Sequence, residues 1–170
     1  MSEEERFEPE EILRRLVEAG VDFVIIGGVA SQVHGSTSIT RDLDVCIARD
    51  LPNLQRVASV LEDIAAVRRG LPAHSPAMPP LDAGTLRAAA LFTLDTAFGR
   101  FDLLANPDPG FDFETLSRTA IAARFGTSTV RVASLDDVMA MKRAAGRPKD
   151  RVELEILGAL REEIDRRPAE

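Results

Sequence analysis

The spacing of hydrophobic and polar residues along this chain predicts alternating helices and strands. An unbroken apolar run at residues 21–26 predicts a buried strand, and alternating acidic and apolar residues at 42–48 predict a second one. Apolar residues at helical spacing predict helices from Pro9 to about Ala19 and from Pro52 to about Ile64. The same reasoning predicts a short helix at 29–34, strands at 88–97 and 100–105, a helix at 113–119, strands at 120–125 and 129–133, and helices at 134–145 and 148–164.

The acidic strand carries the first candidate chemistry. Residues i and i+2 of a strand point to the same face, roughly 6.6 Å apart along the chain. Asp42 and Asp44 should therefore project together, while Leu43, Val45 and Ile47 turn to the core. Two neighbouring carboxylates repel each other unless a positive charge lies between them, and Mg²⁺ with substrate phosphates is the usual solution. The strand predicts a site for Mg²⁺ and a nucleoside triphosphate.

A glycine pair precedes the acidic strand. Gly27 and Gly28 follow the apolar strand at once and come before the short helix at 29–34. A turn without side chains lets the backbone approach a bulky anion, and the amides that begin a helix attract phosphate. Ser36 adds a hydroxyl donor on the loop that returns to Asp42. For the glycine pair alone, a turn needed only for packing remains an equally good interpretation.

These motifs resemble those of the nucleotidyltransferase superfamily of the DNA polymerase beta type, in particular its small prokaryotic members. The matching segments are Ile26-Gly27-Gly28, Asp42-Leu43-Asp44-Val45, and Arg100-Phe101-Asp102-Leu103-Leu104 with the third acid. The segment from Ser134 to Asp150 is similar to the end of many members and, more distantly, of abortive-infection toxins. The similarity runs from about residue 20 to about residue 157. It implies an α+β nucleotidyltransferase fold, with a mixed, mostly antiparallel sheet flanked by helices and a C-terminal helical segment.

The resemblance also implies an activity: transfer of a nucleoside monophosphate from a nucleoside triphosphate to an acceptor hydroxyl. Asp42, Asp44 and Asp102 would hold two Mg²⁺ or Mn²⁺ ions, with Asp102 also a candidate general base, and Lys142 would reach the triphosphate. The acceptor would be tRNA, protein or a small molecule. Similarity to the toxins extends the expectation to one half of a toxin and antitoxin pair, with an antitoxin-like partner protein.

Three alternatives accompany this interpretation. Asp95 lies across the expected hairpin from Asp102 and could be taken for the third acid; we favour Asp102 because apolar residues surround it. The domain could also be a non-catalytic nucleotide-binding or partner-binding module of the same fold. A dinucleotide-binding domain is disfavoured, since the next glycine after Gly28 is Gly35 and the fingerprint needs a closer spacing.

Composition limits the class of protein. With 170 residues, of which 45% are hydrophobic, we expect a single domain over 1–170, with its core at about 20–133 and C-terminal helices at about 134–164. A net charge of −7 argues against sequence-independent binding of nucleic acid over a broad surface. The single cysteine, Cys46, is expected to be a small buried residue.

Because no apolar run is long enough for a membrane span, we expect a cytoplasmic protein. A loop with four prolines, residues 71–80, is where acceptor contacts would be sought.

Overall fold

The computed structural model describes residues 6–71 and 78–166, and in these ranges it contains seven helices and seven strands. The helices are α1 (Pro9–Glu18), α2 (Gly27–Val33), α3 (Leu51–Asp63), α4 (Ala83–Ala88), α5 (Phe113–Thr119), α6 (Leu135–Ala145) and α7 (Pro148–Arg166). The strands are β1 (Phe23–Ile26), β2 (Asp42–Ile47), β3 (Val67–Arg68), β4 (Leu91–Thr96), β5 (Gly99–Leu104), β6 (Ile121–Phe125) and β7 (Ser128–Val132). Within the described ranges, no helix has both the length and the apolar character that crossing a membrane requires.

All seven described strands join one sheet, in the order β3-β4-β5-β2-β1-β7-β6. β2 pairs with β5, and β1 with β7, in parallel, and the other four neighbouring pairs are antiparallel. The expected mixed, mostly antiparallel sheet with flanking helices and a helical C-terminal segment is therefore confirmed. This order matters for the site because it places β5, which comes late in the chain, directly beside β2.

Burial follows the sequence pattern on the central strands. All four residues of β1 are buried, as expected for a short apolar run at the centre of a sheet. In β2, Leu43 and Val45 are fully buried, whereas Asp42 and Asp44 on the opposite face are only partly buried. Cys46 is also fully buried, and burial raises the pKa of its thiol to about 12, which confirms the interpretation of Cys46 as a core residue.

Polar residues cap the helices where the sequence places them. Asp50 accepts a hydrogen bond from the backbone N–H of Asn53 at the start of α3, at 3.0 Å. Ser134 does the same for the N–H of Asp137 at the start of α6, at 3.2 Å. Each side chain satisfies one of the amides that have no partner inside the helix, which fixes where the helix begins. Gly146 ends α6 in the left-handed conformation that closes helices, with φ at +61°.

Several elements differ from the sequence expectation. α2 begins at Gly27 rather than at residue 29, and α4 was not expected. The strand expected at 88–97 begins only at Leu91, because Asp82 caps the short helix α4 just before it. The two-residue strand β3 was not anticipated; it pairs with the outer side of β4. Neither segment has a long enough periodic pattern to reveal itself in the sequence. The expected loop at 71–80 falls largely on residues 72–77, which lie outside the described residues.

Candidate active site

The pairing of β2 with β5 brings two predicted carboxylates together. Asp44 and Asp102 are register partners across these parallel strands, and the partner of Asp102 on its other side is Thr93 of β4. Asp95 lies two residues further along β4, opposite Arg100. The hairpin of β4 and β5 thus places Asp102, and not Asp95, beside Asp44.

Most of the predicted site residues line one cavity of about 840 Å³. Gly27, Gly28, Asp44 and Asp102 form part of one wall, and Lys142 lies on the wall made by α6 and α7. Two predicted residues are not among its lining residues within the described chain. Asp42 shares the acidic face of β2 but lies outside the cavity, where its Oδ1 is 3.8 Å from Nη1 of Arg100.

Ser36, the second of these residues, is buried in the loop between α2 and β2. Its hydroxyl oxygen accepts a hydrogen bond from the backbone N–H of Ser38 at 3.2 Å, so it shapes this loop. Ser38 and Thr40, from the same loop, line the cavity instead. The sequence pointed to this loop, but it could not show which of its hydroxyl groups lines the cavity.

The glycine pair makes room for the acidic strand. Gly27 has a φ of +67°, and a Cβ at this position would lie 2.2 Å from Oδ2 of Asp44. At Gly28 a Cβ would lie 2.5 Å from Oγ1 of Thr40. The pair therefore has a packing role whether or not a phosphate binds: without side chains, the start of α2 leaves room for Asp44 and Thr40.

We expect Gly27→Ala to destabilise the fold by about 2–4 kcal/mol, since the substitution adds a steric clash to a left-handed backbone that costs roughly 1–3 kcal/mol by itself. Gly158→Ala is the matched control, because Gly158 lies inside α7 with no atom within 4 Å of the added carbon. That control should gain roughly 0.5–1 kcal/mol from helix propensity. Urea denaturation measures both, and equal stability of the two variants would contradict this explanation of Gly27.

The carboxylates resist ionisation. Burial, together with the negative charges of Asp102 and Asp42, raises the pKa of Asp44 to about 7, although Lys149 and Arg147 oppose the shift. Burial also raises the pKa of Asp102, which Arg69 lowers and Asp42 raises further. Crowded acids with raised pKa values are typical of functional sites. A positive charge placed between these side chains would stabilise their ionised forms.

Arg69 is a site residue that the sequence did not reveal. Its Nη2 donates to Oδ1 of Asp102 at 2.9 Å and to the carbonyl of Leu94 at 3.0 Å, and its Nε donates to Oδ1 of Asp95 at 3.2 Å. It follows β3, the strand that was not anticipated, so no local pattern pointed to it. Arg69 fixes the orientation of Asp102 and partly neutralises it.

Three cations line the same cavity as these acids. Lys142 on α6, together with Arg147 and Lys149 at the start of α7, lines the cavity that Asp44 and Asp102 also line. Nε of Arg147 is 2.7 Å from Oδ2 of Asp150, and Nζ of Lys142 is 3.9 Å from Oδ1. Lys142 thus lies where the sequence placed it, but it shares a carboxylate with Arg147. One cavity therefore holds acids from the sheet together with three cations from α6 and the start of α7.

The clustered acids of β2 and β5 have the chemistry to bind a divalent cation. Asp44 and Asp102 supply hard oxygen ligands, and Oδ1 of Asp42 is buried without a hydrogen-bond partner among the described residues. As the side chains stand, no three His, Cys, Asp or Glu residues of the described ranges converge into a ready metal site. Asp102 is paired with Arg69, and Asp42 lies 3.8 Å from Arg100. A bound cation would compete with these two arginines for the carboxylates.

Solved structures share this architecture. The lincosamide antibiotic adenylyltransferase LnuA, in its lincomycin-bound form, superposes with a TM-score of 0.60 at 18% identity, over 91% of this chain and 99% of its own. TM1012 of Thermotoga maritima, a proposed nucleotidyltransferase, superposes with a TM-score of 0.56 at 14% identity, over 98% of this chain and 100% of its own. No protein-family model and no curated protein matches the sequence. The chain has the nucleotidyltransferase fold.

Proposed function

We propose that this protein is a metal-dependent nucleotidyltransferase that moves a nucleoside monophosphate from a nucleoside triphosphate to an acceptor hydroxyl. The observation that carries the proposal is the cavity that Asp44 and Asp102 line together with Lys142, Arg147 and Lys149. Phosphoryl transfer needs ligands for a divalent cation and positive charges for the phosphates; the acids provide the first and the cations the second. The likeness to solved nucleotidyltransferase structures supports the same conclusion.

The acids and the cations of the cavity would have different roles. Asp44, Asp102 and Asp42 would hold Mg²⁺, which when bound neutralises the triphosphate and activates the acceptor hydroxyl. Lys142, Arg147 and Lys149 would bind the phosphate oxygens and orient the α-phosphorus. Asp102 would accept the hydroxyl proton as the acceptor oxygen bonds to that phosphorus. The bond from the α-phosphorus to the oxygen shared with the β-phosphate then breaks, and pyrophosphate leaves.

A small-molecule acceptor is favoured over RNA or protein. The cavity volume lies within the range of roughly 300–1,000 Å³ that is usual for small-molecule sites. The likeness to LnuA, an adenylyltransferase of lincosamide antibiotics, agrees with a small acceptor. The net charge of −7 gives nucleic acid no broad positive surface. A toxin role with an antitoxin-like partner, and a cytoplasmic location, stay predictions from the sequence.

The proposal is tested by incubating the protein with each α-labelled nucleoside triphosphate, Mg²⁺ or Mn²⁺, and a small-molecule extract. We expect pyrophosphate release and a labelled small-molecule product with one of the four nucleotides, and no release when the divalent ion is removed with a chelator. Metal-dependent nucleotide affinity without any pyrophosphate would instead identify the non-catalytic binding module considered from the sequence.

A further inference from the structure

The buried face of α7 carries two acids where apolar residues are the rule. Asp150, Glu153 and Leu157 are its buried residues, spaced so that they fall on one side of the helix. The side of a helix that packs against a core is normally an apolar stripe. Both acids line the cavity that also holds Asp44 and Asp102. The two carboxylates need separate explanations.

Asp150 has a structural explanation. Its Oδ2 accepts hydrogen bonds from Nε of Arg147 at 2.7 Å and from the backbone N–H of Arg147 at 3.2 Å. The second bond is the arrangement in which an acid in the first helical turn satisfies the amide that precedes the helix. With Lys142 also close to it, Asp150 is fully compensated although only 1% of the residue is exposed.

Glu153 has no such explanation. Only 7% of the residue is exposed, and its buried Oε1 has no hydrogen-bond partner within residues 6–71 and 78–166. Acids in the first turn of a helix are stabilised by the helix dipole, but Glu153 lies beyond the first turn of α7 and lacks this stabilisation. A buried carboxylate oxygen without a partner lowers the stability of the free protein, because the hydration it loses is not replaced. Its place on the cavity wall indicates that a ligand supplies the missing partner.

The same cavity is bordered by exposed apolar side chains. Ile39 is 90% exposed, and Leu91 and Val152 are exposed as well, yet all three line the cavity. They come from three separate segments: the loop before β2, the start of β4 and the first half of α7. Apolar groups gathered around a cavity with a few polar groups are typical of a site for an organic ligand.

We propose that Glu153 binds the protonated amine of a small acceptor molecule whose apolar part contacts Ile39, Leu91 and Val152. An amine is favoured over a hydroxyl because a hydrogen bond between charged groups is roughly twice as strong as a neutral one. Lys142, Arg147 and Lys149 line the same cavity, but Lys142 and Arg147 pair with Asp150, and within the described residues no ion pair reaches Glu153. Identifying the ligand as the acceptor rests on the proposed function; the binding site itself does not. Glu153 thereby determines which acceptors the enzyme accepts.

The test compares two probes of equal length, hexylamine, which is protonated at neutral pH, and neutral 1-hexanol. Each is titrated into the full chain without nucleotide or divalent ion, and the methyl NMR signals of Ile39, Leu91 and Val152 are followed. We expect the wild type to bind hexylamine about 10-fold more tightly than 1-hexanol, the ratio that one charge-assisted hydrogen bond supplies. Glu153→Gln should lose this preference and still bind 1-hexanol, which also shows that the variant is folded.

Glu155→Gln is the matched control, since Glu155 lies on the same helix, is exposed and does not line the cavity. It should keep the full preference for hexylamine. Absence of hexylamine binding, equal affinity of the wild type for both probes, or an equal loss of preference in both variants would overturn the proposal. Because neither nucleotide nor metal is present, a protein that binds the amine but releases no pyrophosphate would retain this site and lose the proposed function.

Discussion

The Asp44→Asn protein should release pyrophosphate from a nucleoside triphosphate at least ~10³-fold more slowly than the wild type, a loss of roughly 4 kcal/mol in transition-state stabilisation. Asp44 is the acid that both lines the cavity and lies in register with Asp102. Asparagine keeps the size of the side chain but removes the negative charge that would hold the cation. The fold should remain, because the substitution also relieves the repulsion among the three acids. Initial rates at saturating Mg²⁺ measure the effect.

Asp63→Asn provides the control for this change, because Asp63 is an exposed acid at the end of α3 and does not line the cavity. Its rate should match that of the wild type.

Asp42→Asn should also abolish transfer. Asp42 lies outside the cavity lining, but its buried Oδ1, which has no hydrogen-bond partner among the described residues, would turn towards the cation. Substantial activity in the Asp42→Asn, Asp44→Asn double variant would exclude the carboxylates as the metal site and with them the proposed mechanism.

The acidic strand could be predicted from the sequence because its information is local. The alternation of Asp42, Leu43, Asp44 and Val45 is itself the period of a strand, and it determines which side chains share a face. β1 was predictable for a similar reason. Its apolar run is too short for a helix and is followed by two glycines, which predicts a buried strand. In both cases the pattern within a few residues decided the structure.

The partners of that strand were not predictable in the same way. That β5 lies beside β2 in parallel depends on contacts between segments more than fifty residues apart, and only the family resemblance supplied Asp102 as the third acid. Arg69 had no local signal, since it follows a two-residue strand whose pairing is decided by β4. Glu153 looks like an ordinary solvent-facing acid of an amphipathic helix until packing buries it.

The glycine pair has a structural role that the sequence interpretation did not include. From the sequence, Gly27 and Gly28 were expected to bring the backbone close to a phosphate. The geometry adds a requirement that exists without any ligand, because a side chain at Gly27 would collide with the carboxylate of Asp44. In this chain the glycine pair and the acidic strand therefore depend on each other for packing.

The free energy of unfolding should fall as pH rises from about 4 to about 7, and Mg²⁺ should reverse much of the fall. The pKa of Asp44 is about 7 in the folded chain, against an ordinary value of 3.8 for an aspartate. Between these values the unfolded chain has released a proton that the folded chain still binds, so raising the pH favours unfolding; above pH 7 both states are ionised and the loss is complete. The free energy of unfolding lost in this way is at most roughly 4 kcal/mol.

Urea denaturation of the wild type and of Asp44→Asn at a series of pH values isolates this contribution, because other titrating groups are common to both proteins. The difference in stability between them should grow from near zero at pH 4 to its full value at pH 8. Mg²⁺ should stabilise the wild type more at pH 8 than at pH 5, since it binds the ionised carboxylate, and should have little effect on Asp44→Asn. If the two proteins lose stability in parallel across this range, the crowding of acids around Asp44 has no energetic consequence and the cavity lacks the electrostatic basis for holding a metal ion.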